Sequence, residues 1–93
     1  MPCVIRKVVG SRYENFLELA AGEWKLTPQV DALREWLTEH HRELDREHEW
    51  IADIGFELRN DATGGGPVIS VAMMKLCVEC RMDIFLSEYG RGG

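Results

Sequence analysis

The residues of this 93-residue chain best suited to metal or redox chemistry are three cysteines and three histidines. Two cysteines form a CxxC, Cys77-Val78-Glu79-Cys80. Redox use of that motif needs the first thiol at the N-terminus of a helix, where the macrodipole lowers its pKa. Here Met73, Leu76, Cys77 and Cys80 share one helical face, which puts the motif near a helix C-terminus among apolar neighbours. The pair reads as two small core residues. A structural zinc site needs four ligands, and Cys3, His40, His41 and His48 are the remaining candidates; none of them shows paired ligand spacing with another. His41 and His48 share a helix face but lie two turns apart, about 10 Å, too far to hold one ion. The histidines read as boundary residues at the edge of the core. No metal, cofactor or catalytic residue is expected.

Gly64-Gly65-Gly66-Pro67 precedes a capped helix, superficially a phosphate-binding arrangement. It lacks the Lys-Ser/Thr of a P-loop and the GxGxxG spacing of a dinucleotide site, and Pro67 removes an amide donor. A turn is the better reading. No serine or cysteine has a context that marks it as activated by a base. The remaining chemistry is charge. Sixteen acids against eleven bases give a formal charge of −5, which repels nucleic-acid phosphates and anionic membranes and attracts basic proteins over about a Debye length. Neither nucleic acid nor membrane is expected as a partner.

The elements that must position these groups follow from periodicity. Cys3 to Val9 is β-branched and predicts a strand ended by Gly10. Ser11 and Glu14 have capping-box spacing, and Tyr13, Phe16, Leu17 and Ala20 recur at helical intervals, predicting a short helix closed by Gly22. Thr27 as N-cap and Pro28 at the first helical position open a second helix. Its apolar face is Val30, Leu33, Leu37 and Leu44, with His41 among them. Its other side carries Asp31, Glu35, Glu39, Glu43 and Glu47, either a solvated face or an acidic docking ridge. Trp50 to Arg59 alternates: Trp50, Ala52, Ile54, Phe56 and Leu58 point inward, while Ile51, Asp53, Gly55, Glu57 and Arg59 point outward. After the turn chemistry of residues 60–67, Ser70 caps a third helix; a strand competes there because Val68 to Val71 is β-prone, and the spacing favours helix. Met82, Ile84 and Leu86 alternate with Asp83, Phe85 and Ser87 in a last strand.

The expected fold is therefore α+β, with the order β-α-α-β-α-β. It is a two-layer sandwich of about three strands with helices on one face, over residues 1–89, followed by a disordered tail at 90–93. No apolar run reaches the roughly 18 residues of a membrane span, and the N-terminus lacks a secretory signal. An odd cysteine count suits a reduced, cytosolic chain. Three tryptophans, Trp24, Trp36 and Trp50, are many for this length; Trp50 belongs inside, and an exposed one beside acids is an interface anchor.

One run of residues is similar to a known family. It comprises Trp24-Lys25-Leu26, the helix from Val30 to Leu44, Ile54-Gly55-Phe56-Glu57-Leu58, Gly65-Gly66-Pro67-Val68-Ile69-Ser70, and Met82-Asp83-Ile84-Phe85-Leu86-Ser87-Glu88-Tyr89. Over roughly residues 24–89 it resembles small bacterial domains of unknown function, some encoded beside polymorphic toxins and read as immunity proteins. Relative to that pattern the chain is shorter at its N-terminus, which implies the loss of an N-terminal sheet hairpin. It also has Glu79-Cys80-Arg81 where a glycine commonly ends the helix. The resemblance implies no catalytic residues. The expected function is a non-enzymatic acidic protein-binding module, of the kind that neutralises a basic toxin. Its surface would draw on Glu35, Trp36, Glu39, Glu43, Asp53 and Glu57. The alternative is a homo-oligomeric structural domain, or a subunit of a larger complex, paired through a free sheet edge.

Overall fold

A computed structural model describes residues 2–59 and 61–90, so Asn60 and residues 91–93 of the expected tail lie outside it. The described residues form four strands and two α-helices: β1 (Cys3–Val9), β2 (Arg12–Leu19), α1 (Leu26–His40), β3 (Trp50–Glu57), α2 (Val71–Cys80) and β4 (Met82–Tyr89). A 3-10 turn, His41–Glu43, follows α1. The class is α+β, as the periodicity predicts, with one strand more than expected. The sheet order is β2-β1-β3-β4. β1 pairs antiparallel with β2 and β3, while β3 and β4 run parallel and α2 makes the crossover between them.

The helix expected over Ser11 to Ala20 is strand β2, and the N-terminal hairpin expected to be missing is present. Its loop is Gly10-Ser11, between the paired residues Val9 and Arg12. Gly10 has φ +62° and Ser11 a negative φ, the pattern of a type II′ hairpin turn. The false helical signal has a local cause. The register shifts between Ile5 and Arg6, which face Leu17 and Asn15, so Phe16 is the extra residue of a β-bulge. The bulge breaks the alternation of two and leaves Tyr13, Phe16 and Leu17 at spacings that imitate a helix.

Other boundaries move for identifiable reasons. α1 begins at Leu26 with Lys25 as N-cap and no side-chain cap bond, so Thr27 and Pro28 lie inside its first turn. That end is held by Gln29 instead, whose buried amide donates to the Lys25 and Gly55 carbonyls at 3.2 and 2.7 Å. The helix stops at His40, yet the 3-10 turn still delivers Leu44 to the core; Glu47 is thereby taken off the α1 ridge. α2 is a helix, as its spacing predicts, and Ser70 Oγ caps it by accepting from the Met73 amide at 3.1 Å. It ends at Arg81, which adopts the left-handed conformation (φ 58°, ψ 47°) that glycine favours.

One apolar core lies between the helices and one sheet face. Cys3 and Ile5 of β1, Trp50, Ala52 and Ile54 of β3, and Met82 of β4 meet Val30, Leu33 and Leu37 of α1 and Met73, Cys77 and Cys80 of α2. β3 departs from its expected half-wet character. It ends at Glu57, Leu58 is exposed, and Ile51 on the uncovered face is only 4% accessible, because β3 is flanked on both sides, by β1 and β4. Among the described residues no helix is long and apolar enough to cross a membrane.

The hairpin assignment predicts unequal effects at adjacent positions. Gly10→Ala should cost about 1–2 kcal/mol, the penalty for a side chain in left-handed backbone. Ser11→Ala should change stability by less than about 0.5 kcal/mol, as at ordinary surface sites. Denaturant unfolding reads both; a loss of about 1 kcal/mol at Ser11 is what a helix cap would give.

Candidate functional site

The six acids and aromatics singled out in the sequence fall on two opposite faces. Glu35, Trp36, Glu39 and Glu43 come together on the flank of α1 that overhangs β2. The 100° spacing places Trp36, Glu39 and His40 on the same side of the helix, with Glu35 next to them. Phe16, thrown out of alternation by the bulge, meets Trp36 edge-on with centroids 6.4 Å apart, and it also meets Trp50 at 5.1 Å. The His40 ring lies 5.6 Å from that of Trp36. Its Nδ1 is 2.5 Å from Glu43 Oε2 and its Nε2 is 3.7 Å from Glu39 Oε2. The result is a row of exposed carboxylates with an aromatic pair at its foot. Phe16 was not visible as a site residue in the sequence, because only the bulge turns it toward Trp36.

Asp53 and Glu57 belong to the other face of the sheet. Asp53 is occupied there. Arg6 donates to its Oδ2 at 2.8 Å and Ser87 to its Oδ1 at 2.6 Å, while Arg6 Nε donates to Asn15 at 3.0 Å. One residue from each strand thus forms a polar ladder, Asn15–Arg6–Asp53–Ser87, across the uncovered face. It joins the four strands sideways and leaves Asp53 little charge to offer a partner. Glu57 is exposed at the end of β3, where its amide donates to the Trp24 carbonyl. Trp24 packs edge-on against Tyr89 at 5.6 Å, partly exposed.

The cysteines are free and buried. Burial, aided by the nearby charge of Asp53, pushes the Cys3 thiol up to about 12. Burial raises the other two as well. Cys80 adds to the effect at Cys77, and Glu79 adds to it at Cys80, where Arg46 opposes. Cys80 Sγ donates to the His41 carbonyl at 3.8 Å. These are thiols held neutral, the opposite of what a redox nucleophile requires. Among the described residues no group of three or more His, Cys, Asp or Glu side chains is gathered as metal ligands. His48 instead supports Asp45, lowering that carboxyl's pKa chiefly through a side-chain hydrogen bond at 2.8 Å.

The glycine run lines an open cleft of about 340 Å³ with Leu26, Pro28, Phe56 and Leu58. Gly64, Gly65 and Gly66 all have positive φ, and residues 67–70 separate them from α2, so their amides do not continue into a helix N-terminus as a phosphate loop does.

The ladder and the thiols each give a measurable expectation. Asp53→Ala removes a partly buried acceptor from Arg6 and Ser87 and should cost about 1–3 kcal/mol in denaturant unfolding, the range for orphaning such donors. A thiol kept protonated by the fold contributes stability below its ordinary value of 9.0 and loses it as pH rises toward 12. Stability should therefore fall between those values. At neutral pH a thiol reagent should modify the three cysteines of folded protein only at the rate of unfolding, and all three at once in denaturant. Fast modification of Cys77 in the folded protein would contradict this.

No family model, no curated protein and no solved structure matches the chain.

Proposed function

We propose that the chain is a non-enzymatic protein-binding module that docks a basic partner on the flank where α1 overhangs β2. The observation that carries this reading is the juxtaposition of Glu35, Glu39 and Glu43 with the Phe16–Trp36 pair. Carboxylates in water attract a basic surface at a distance and speed encounter, while a rigid aromatic supplies contact area once water is expelled. The net charge of −5 adds a field of the same sign. Asp53 and Glu57 are left out of this docking surface, since they face the other way. Neutralisation of a basic toxin, the role implied by the resemblance to immunity-type domains, is one instance of such binding.

The test is capture from the native lysate at low salt with the wild type beside the triple variant Glu35→Lys, Glu39→Lys, Glu43→Lys. A basic partner should be retained by the wild type, and its association rate should fall about tenfold or more with the variant or with added salt. Capture of a partner that ignores both changes, or of none, refutes the proposal.

A further inference from the structure

The two edges of the sheet are not alike. β2 carries the bulge at Phe16 and the charged residues Arg12, Glu14 and Glu18, devices that discourage another strand from adding to an edge. β4 has no bulge, and its only charged residues are Asp83 and Glu88. It runs eight residues in unbroken register with β3, from Trp50↔Met82 to Glu57↔Tyr89. It contains no proline, lysine or arginine, and it exposes Phe85, Leu86 and Tyr89. Leu86 is 55% accessible although it lies on the helix-covered side of the sheet in register with buried Ile54.

The helix beside that edge is unfinished in the same direction. Val71, Met74 and Val78 form an exposed apolar stripe on α2, and Val78 is 78% accessible. The opposite flank of α2 faces α1. There Glu79 reaches Arg46 at 2.8 Å and His41 at 3.9 Å, just beyond the end of α1. The stripe therefore points away from α1, on the side of the free β4 edge. An apolar helix flank and a regular, unbulged strand edge lie side by side with no covering element in the described chain.

We infer that the occupant is a second copy of this chain, paired through β4 in antiparallel register about a twofold axis at Phe85. The strand is complementary to itself in that register. Phe85 opposes Phe85 of the copy on the uncovered face, Ile84 opposes Leu86 on the helix face, Asp83 opposes Ser87, and Met82 opposes Glu88. Both helix layers stay on one side, so the two α2 stripes face each other over the junction. Shifting the register by one places Asp83 opposite Glu88 and throws the helices onto opposite faces, which penalises that alternative twice. The product is a continuous eight-stranded sheet, closed by symmetry and with bulged β2 strands at its two outer edges. This pairing stands independently of the acidic flank proposed above, which remains free at each end.

Charge swapping at the axis tests it. Phe85→Lys and Phe85→Asp each put like charges opposite each other, and each should weaken dimerisation at least about tenfold. Mixing the two variants should restore a mixed dimer, because only this register sets position 85 against itself. Sedimentation across a dilution series reads the mass, and circular dichroism checks that the variants fold; Val78→Asp, on the helix stripe, gives a second disruption that leaves β4 intact. Added salt should tighten the dimer, by screening two acidic copies, whereas it loosens binding at the acidic flank. A wild type that is monomeric at every concentration overturns the proposal. So does a dimer indifferent to both Phe85 and Val78 changes, or a mixture that stays monomeric.

Discussion

Trp50 ties the two layers and all four strands together. Its indole is buried and donates to the Asp45 carbonyl at 2.9 Å, fixing the loop that returns from α1. Its backbone amide donates to the Arg81 carbonyl at 2.9 Å, so the first residue of β3 also fixes the entry to β4. Phe16 of β2 meets one edge of the ring, and the Lys7 ammonium of β1 lies 5.6 Å from its centre. Removing a buried tryptophan costs about 3–5 kcal/mol, a large share of the 5–15 kcal/mol typical of a whole domain. The order of the sheet follows from this anchor. With β3 held centrally, β1 pairs antiparallel on one side, while a parallel β4 on the other requires a crossover, which α2 supplies.

How far the sequence disclosed this depends on whether each signal is local. β3 was legible because its alternation is regular, and α2 because Ser70 caps it and Met73, Cys77 and Cys80 recur at helical spacing. β2 was not, since one inserted residue at Phe16 replaced a period of two with intervals that resemble a helix. The start of α1 was misread because its true restraint is Gln29, bonded to Gly55 twenty-six positions away. Asp53 looked like a free docking acid for the same reason: its partner, Arg6, is forty-seven positions off. Glu35, Trp36, Glu39 and Glu43 could be grouped because they follow one another turn by turn along α1 and the 3-10 turn that continues it. Phe16, which completes that group, could not, because a tertiary bulge brings it there.

The sheet thus separates two kinds of surface by distance along its width. At the β2 end lie carboxylates and a half-buried aromatic pair. At the β4 end lie unpaired backbone groups and aliphatic side chains. Between them the uncovered face is closed by the Asn15–Arg6–Asp53–Ser87 ladder, whose charges satisfy one another. A partner attracted by charge and a partner attracted by apolar burial would therefore meet different ends of the molecule without competing.

Magnitudes decide whether two copies carrying −5 each can pair at the β4 end. With a radius of gyration of 13.6 Å, side-by-side copies have centres well beyond the Debye length of roughly 8 Å at physiological salt, so most of their mutual repulsion is screened. The pairing surface brings no acid opposite another acid in the register centred on Phe85. Against that weak penalty stand Val71, Met74, Val78 and Leu86 from each copy, and complete burial of such a side chain contributes about 1.5–3 kcal/mol. Even partial burial of eight such groups, offset by the entropy of association, exceeds the screened repulsion. At low salt the balance narrows, because the Debye length grows to about 30 Å at 0.01 M and the two acidic surfaces then sense each other whole. The ionic environment therefore acts on the two ends of the sheet in opposite senses, strengthening apolar pairing where it weakens capture of a basic partner.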